Sequence, residues 1–501
     1  MASVTFPTRL GGSGITITDD ADPNTGMLNG GHEERFVPGL QGTVDMASYV
    51  YQYAAKINQA ASDAERAENA RGYVEGYAAA LRSNLRESYR HRSTIDFDFD
   101  RGQYSLDDGV RLSTANASEV LTVERASPKL VFGANGMLRE IPQNTLAREW
   151  DPSTGQPRGA VIELESTNYA TNSTNSGPFN AEGASWVSSS DVGGYRGMQL
   201  GKLVESTTDG THRLRWWGLG GLVKTGERWV YSVFVKPAER THLAIVASGS
   251  ADFNFETGEF SSSFDSAGME SVGGGAWLVW VSFVVGENPA PGSPYMDLRL
   301  VNGVHSYRGD GNSGMFIGEH QLEPGARPTS RIRTATAPVT RARDIVYRDL
   351  GAEHRHDQGT LVLDVERTTD FVNIPLIKVG PSPDVFARGY GINTPSYTVV
   401  QSVFRDGNFS ATSVNTGFET GERGKIAISF TADESWLVTA DNAKATIISG
   451  FNALSNMQRL GFIAASGLSG SPGSWPPAIR LHSVLFIPSA LNREELKELT
   501  A

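Results

Sequence analysis

At 501 residues the chain has room for roughly two to four domains, each able to bury its own core. It has no Cys and a formal net charge of −12, which excludes disulfides and thiolate metal sites and argues against general nucleic-acid binding, since that needs a positive face toward phosphates. No apolar run approaches the ~20 residues of a membrane span, and the opening MASVTFPTRLGGSG lacks the apolar centre of a signal peptide, so neither membrane insertion nor a leader is expected. With 55 Gly among many Ser, Thr and Asn, the composition fits a turn-rich, mainly β chain.

Residues 1–42 are polar and Gly-rich, with too few apolar side chains for a core, and are expected to order by docking on a partner. The wording FPTRLGG…TDDADPNTG…GGHEERFVP resembles the N-termini of bacteriophage tail fibres. The resemblance implies a virion-attachment segment held on a baseplate, tail or capsid protein, with Phe6, Pro7, His32, Arg35 and Phe36 as contacts. The alternative is a flexible tail.

Over residues 43–92 Ala, Glu, Arg and Tyr dominate and Pro is absent. Val44, Ala47, Tyr51 and Ala54 step by three and four, and Ile57, Ala61 and Ala64 resume after a shift of frame. That spacing predicts an amphipathic helix with a narrow stripe of small residues. Gly72 and Gly76 weaken its middle by about 1 kcal/mol each. A narrow stripe must be buried against something. Self-association through Val44, Ala47, Tyr51, Ala54 and Ile57 into a stalk is one expectation; packing on the chain's own β-domain is the other. The fibre resemblance implies a homotrimer.

Beyond Ser93 the period becomes two. Ile95, Phe97 and Phe99 alternate with Asp96, Asp98 and Asp100, which predicts a half-buried strand with a solvated acidic face. Residues 93–159 read as a β-rich connector, 160–349 as a first β-sandwich and 350–501 as a second. Short strands broken by Gly and Pro support both sandwiches. In the first, Trp229–Lys236 is expected to pair with Thr241–Ala247. The run GMFIGEHQLEPGARPTSRIRTATAPVTRARD, Gly314–Asp344, resembles the segment that closes a sandwich in phage fibre and spike proteins. Its Arg327, Arg331 and Arg333 are expected at the surface or between domains. The ending SVLFIPSALNREELKELT resembles the close of laminin-G or concanavalin-like sandwiches.

No nucleophile elbow, phosphate loop or dinucleotide fingerprint is present, so no catalytic residues are expected. His354 and His356, with Asp357 adjacent, could bind a metal, but no further ligand is identifiable and a solvated linker is the simpler reading. Asp406-Gly407-Asn408 and Asp441-Asn442 could serve Ca2+ but read better as turns, so no metal or cofactor is expected. The doublet Trp216-Trp217 on a strand points its two rings to opposite faces, so at most one is core. The other could stack on a sugar ring. Trp475, in the loop SGSPGSWPPA, is a further candidate glycan contact, whereas at least one of Trp277 and Trp280 should be core.

The fold class expected is mainly β: two jelly-roll-type β-sandwiches preceded by an extended N-terminal anchor and a helical oligomerisation segment. The function expected is that of a non-enzymatic phage structural protein, a tail fibre located on the virion that binds a host-surface glycan. A purely structural head spike and a polysaccharide depolymerase are the alternatives.

Overall fold

The computed structural model describes residues 2–52, 56, 89–188, 195–217, 222–223, 226–284, 295–368, 374–380, 388–394, 398–405, 408–415, 422–431, 435–439, 442–446, 458–462 and 478–500. The chain divides into two compact units, Met1–Glu87 and Ser88–Ala501. It is mainly β, as expected.

In the first unit Ser3–Thr5 pairs antiparallel with Thr16–Thr18. A helix runs over 31–52. It begins at residue 31 rather than 43, so the anchor is a folded hairpin and helix start rather than an extended segment. Pro38, Gly39 and Gly42 oppose a helix locally. Packing overrides them. A Cβ on Gly39 would lie 2.6 Å from Ile17, and one on Gly42 would lie 2.9 Å from the Phe6 ring. The two glycines are notches that receive the hairpin's apolar side chains, and Phe6 is buried there. Arg35 staples the intervening loop, donating to the carbonyls of Gly26 at 3.1 Å, Asn24 at 3.2 Å and Pro23.

The second unit holds both sandwiches, and the connector is part of one of them. Ile95–Asp98 pairs with Ala478–Ile487, some 380 positions away in the chain, and Pro157–Glu163 pairs with the same strand. Thr122–Glu124 pairs with Ile345–Asp349. Among the described residues this C-terminal sandwich has a ten-stranded and a seven-stranded sheet. Its core draws on Phe97, Phe99, Tyr104, Leu361, Ile428 and Phe486. Phe99 meets Tyr104 and Phe462 edge-on at 5.6 and 6.5 Å. The 93–159 segment is therefore no linker: Ile95, Phe97 and Phe99 have no exposed surface at all, and three aromatic or branched side chains of that kind demand a sheet to cover them.

Residues 166–341 form the other sandwich, inserted into the first between Pro157–Glu163 and Ile345–Asp349. It has two six-stranded sheets among the described residues. Arg228–Pro237 pairs with Trp277–Val284 and Gly314–Pro324, while His242–Val246 lies in the opposite sheet beside Met296–Val301. The chain thus crosses between sheets at 238–241, where a hairpin was expected. Both strands bury their central residues, and neighbours in sequence need not be neighbours in a sandwich sheet.

The two sandwiches meet along a seam of buried charge. Asp344 accepts from Arg125 at 2.8 Å, from the Glu163 backbone N–H at 2.9 Å and from Lys129. Glu163 pairs with Lys129 and Arg341, each at 3.0 Å, and accepts from Ser330 Oγ at 2.6 Å. Burial works against an ionised Glu163, but Arg341 and Lys129 prevail and hold its carboxyl well below the usual range. Glu323 accepts from Thr329 and Ser166. The Gly314–Asp344 run therefore supplies this seam: Arg331 is buried beneath Phe234, donating to Ser232 and to the Glu319 carbonyl, not a surface residue. Arg333 pairs with Glu319 at 2.6 Å, and Arg327 lies over Trp280.

Candidate binding site

Strand Arg213–Trp216 separates the Trp doublet as its period requires. Trp216 is buried against Phe179, ring centroids 5.6 Å apart. Trp217, just past the strand end, is 52% exposed. Its ring is covered on one side by the Arg215 guanidinium at 4.8 Å, and Tyr295 lies 5.9 Å away. Its indole N–H donates to Glu182 at 3.3 Å. Arg215 is itself fixed by Asp297 through bonds of 2.6 and 2.8 Å. Burial disfavours a charged Glu182, yet hydrogen bonds from Arg213 and Trp217 hold its carboxyl below its ordinary range. The result is a preset aromatic platform with ionised acceptors and guanidinium donors at its edge. Such a surface stacks on a flat apolar face and takes hydroxyl groups at the rim. Trp277 is half-buried and Trp280 is core. Trp475 lies outside the described residues.

The expected attachment residues converge only in part. Phe6, Arg35 and Phe36 line an apolar groove of about 450 Å³ between hairpin and helix, together with Val4, Ile17 and Leu40. Phe36 is exposed. Pro7 starts a 3-10 turn and is half-buried, and His32 is exposed on the helix. Of the expected oligomerisation stripe, Val44, Ala47 and Tyr51 are all exposed, on the side away from Gly39 and Gly42. Val37 extends that stripe and is also exposed, and Leu40, exposed at its edge, borders the hairpin groove as well. Ala54 and Ile57 lie outside the described residues.

The histidines do not form the solvated linker expected. His354 is buried and stacked on Phe486, centroids 4.6 Å apart, and burial pushes it down to about 3. His356 is exposed, and Asp357 is paired with Arg355. Among the described residues no group of three potential ligands is placed to hold a metal ion. Asp406, Gly407 and Asp441 lie outside the described residues, and of Asn408 and Asn442 only the backbone is described. The acidic strand face is not solvated either. Asp96 and Asp98 both pair with Arg90, at 3.1 and 2.6 Å, and Asp100 pairs with His482 at 2.8 Å and Arg423 at 3.0 Å.

Sequence reading missed a cavity of about 360 Å³ at the seam. Arg158, Glu270, Glu366 and Arg480 line it from four distant parts of the chain. Arg480 is held between Glu149 at 2.8 Å and Glu366 at 2.5 Å; Arg158 lies between Asp151 at 3.1 Å and Glu270 at 2.5 Å. The one local signal is the alternation of Arg480 and His482 in a mostly apolar strand.

No family model matches the chain, and no curated protein matches it. Similar solved structures include botulinum neurotoxin type C, described for its interaction with two ganglioside molecules: 7% identity, TM-score 0.27, over 31% of this chain and 39% of that one. The binding domain of botulinum neurotoxin DC, solved with rat synaptotagmin II, is similar at 7% identity and a TM-score of 0.26, over 31% and 40%. The serotype D binding domain gives 9% and 0.24, over 31% and 39%. This chain thus spans about two fifths of each of them. A likeness at this level assigns neither a family nor a ligand.

Proposed function

We propose that this protein is a non-enzymatic virion structural protein, a phage tail fibre that binds a host-surface glycan. The observation that carries the binding reading is the Trp217 platform: a large exposed ring, preset by Arg215 and flanked by Tyr295, with ionised Glu182 at its edge. An exposed ring fixed from behind loses little freedom on binding, so it suits shallow stacking on a sugar. Weak single sites gain by repetition. Val37, Leu40, Val44, Ala47 and Tyr51 repeat at three and four, the spacing at which helices pack on copies of themselves, which supports a subunit bundle and the trimer of the fibre reading. The apolar groove at Phe6, Arg35 and Phe36 supports docking of residues 1–42 on a baseplate, tail or capsid protein.

Glu366 of the seam cavity does not suit the general-acid role of a glycosidase. A glycosidase acid needs a carboxyl whose pKa is raised. Glu366 instead is held down at about 2: burial opposes this, but His482 and Arg480 outweigh it. The test is binding to intact host cells and to an array of their surface polysaccharides. Wild type should bind, and Trp217→Ala should lose at least tenfold in apparent affinity with its melting temperature unchanged. Unaltered binding by Trp217→Ala would remove the platform from the reading, and release of oligosaccharide by the wild type would replace it with the depolymerase.

A further inference from the structure

The seam cavity is lined by two chemically different kinds of side chain. Phe132, Phe234 and Leu278 belong to one apolar cluster. Arg158, Glu270, Glu366 and Arg480 bring charge and hydrogen-bonding groups to the same space. At about 360 Å³ it falls at the small end of the ~300–1,000 Å³ typical of ligand pockets.

The charges of the lining balance. Arg158 and Arg480 each sit between two carboxylates, and with Arg327 and Arg331 the four arginines of the lining face four glutamates, Glu149 and Glu163 among them, so no surplus formal charge is left to attract an ion. Matched pairs still have hydrogen-bonding capacity. A guanidinium has five N–H donors and a carboxylate about four acceptor sites, more than the pairing uses. A hydroxyl group satisfies both at once, accepting from the guanidinium and donating to the carboxylate. A ligand with a hydroxyl-rich edge and an apolar C–H face meets both kinds of lining. The residues come from both sandwiches: Glu270 from the inserted one, and Arg158, Glu366 and Arg480 from the C-terminal one.

We infer that the seam cavity is a second saccharide site, specific for one neutral pyranose ring and separate from the Trp217 platform. It does not depend on that platform, because no residue is shared between them.

The test uses the full chain carrying Trp217→Ala, so that only the seam is read. Saturation-transfer NMR is run with D-galactose, D-glucose, N-acetyl-D-glucosamine and N-acetylneuraminic acid. At least one of the three neutral sugars should bind. Adding Glu270→Gln, which keeps the shape but halves the acceptors, should weaken it at least tenfold. Adding Glu270→Trp, which fills the mouth, should abolish it. Because the salt bridge from Arg158 is lost in both variants, unfolding alone would lower their melting temperatures; a Glu270→Gln protein of unchanged melting temperature separates the two effects. Binding of no neutral sugar, preference for N-acetylneuraminic acid, or binding unaffected by both Glu270 variants would each overturn the proposal. A wild type that binds glycans while the Trp217→Ala chain binds no sugar would leave the platform standing and remove the seam.

Discussion

Glu163→Gln tests whether buried charge holds the two sandwiches together. The Glu163 side chain is 3% exposed and faces Lys129 and Arg341, which are 0% and 2% exposed. Removing one partner of a buried pair costs about 3–5 kcal/mol, and the Gln oxygen can still accept from Ser330, returning about 1 kcal/mol, so the net loss should be about 2–4 kcal/mol. Asp344 remains beside Lys129, so the residual strain falls mainly on Arg341. The assay is urea unfolding followed by tryptophan fluorescence. A double-mutant cycle with Arg341→Met isolates the pair and should give a coupling energy of about 1.5–3 kcal/mol. A loss below about 1 kcal/mol, or a coupling below about 0.5 kcal/mol, would refute the reasoning, because such values belong to exposed pairs.

Acid should unfold the second unit by several groups acting in one direction. Glu163 and Glu366 have depressed folded pKa values; their stabilisation is complete above the ordinary value of 4.5 and is lost as pH falls from there, through about 2 for Glu366. His320 and His354 are each pushed down to about 3 by burial, so the unfolded chain takes up protons first and stability falls between pH 6.5 and 3. His482 has the opposite sign. Burial lowers it, but Asp100 and Glu366 raise it further, so its contribution is full below 6.5 and fades as pH climbs through the raised value; Asp100→Asn should flatten that alkaline limb in a melting-temperature profile. At the first unit, the proposed trimer predicts that wild type sediments as an oligomer and that Leu40→Asp with Val44→Asp, which places charge on the exposed stripe, sediments as a monomer; a sedimentation coefficient unchanged by the two substitutions would show that the stripe is not the contact.

The alternating face of Ile95, Phe97 and Phe99 was legible because a period of two needs no partner to be recognised. The Trp doublet was legible for the same reason: consecutive strand residues face opposite ways, so one ring had to emerge. The helix start was not. Pro38, Gly39 and Gly42 oppose a helix locally, and only Phe6 and Ile17, brought back by the hairpin, reverse the balance. Asp96, Asp98 and Asp100 looked like a wet face because their counter-charges are not in the strand; Arg90 comes from the preceding turn and His482 from the last strand of the molecule. The seam was hidden more completely. Lys129, Glu163, Arg341 and Asp344 are separated by up to 215 positions, and a sequence carries no sign that such charges will be buried together.

The insertion leaves and re-enters its host at one place. Ser166–Asn168 runs beside Val339–Arg341, and the Asp344 N–H donates to the Glu163 carbonyl at 2.8 Å. Chain ends that close together mean that the 166–341 sandwich interrupts its host at a single point, so any exchange of the insertion has to keep only that point and the Arg341 and Ser330 contacts that complete the charge on Glu163.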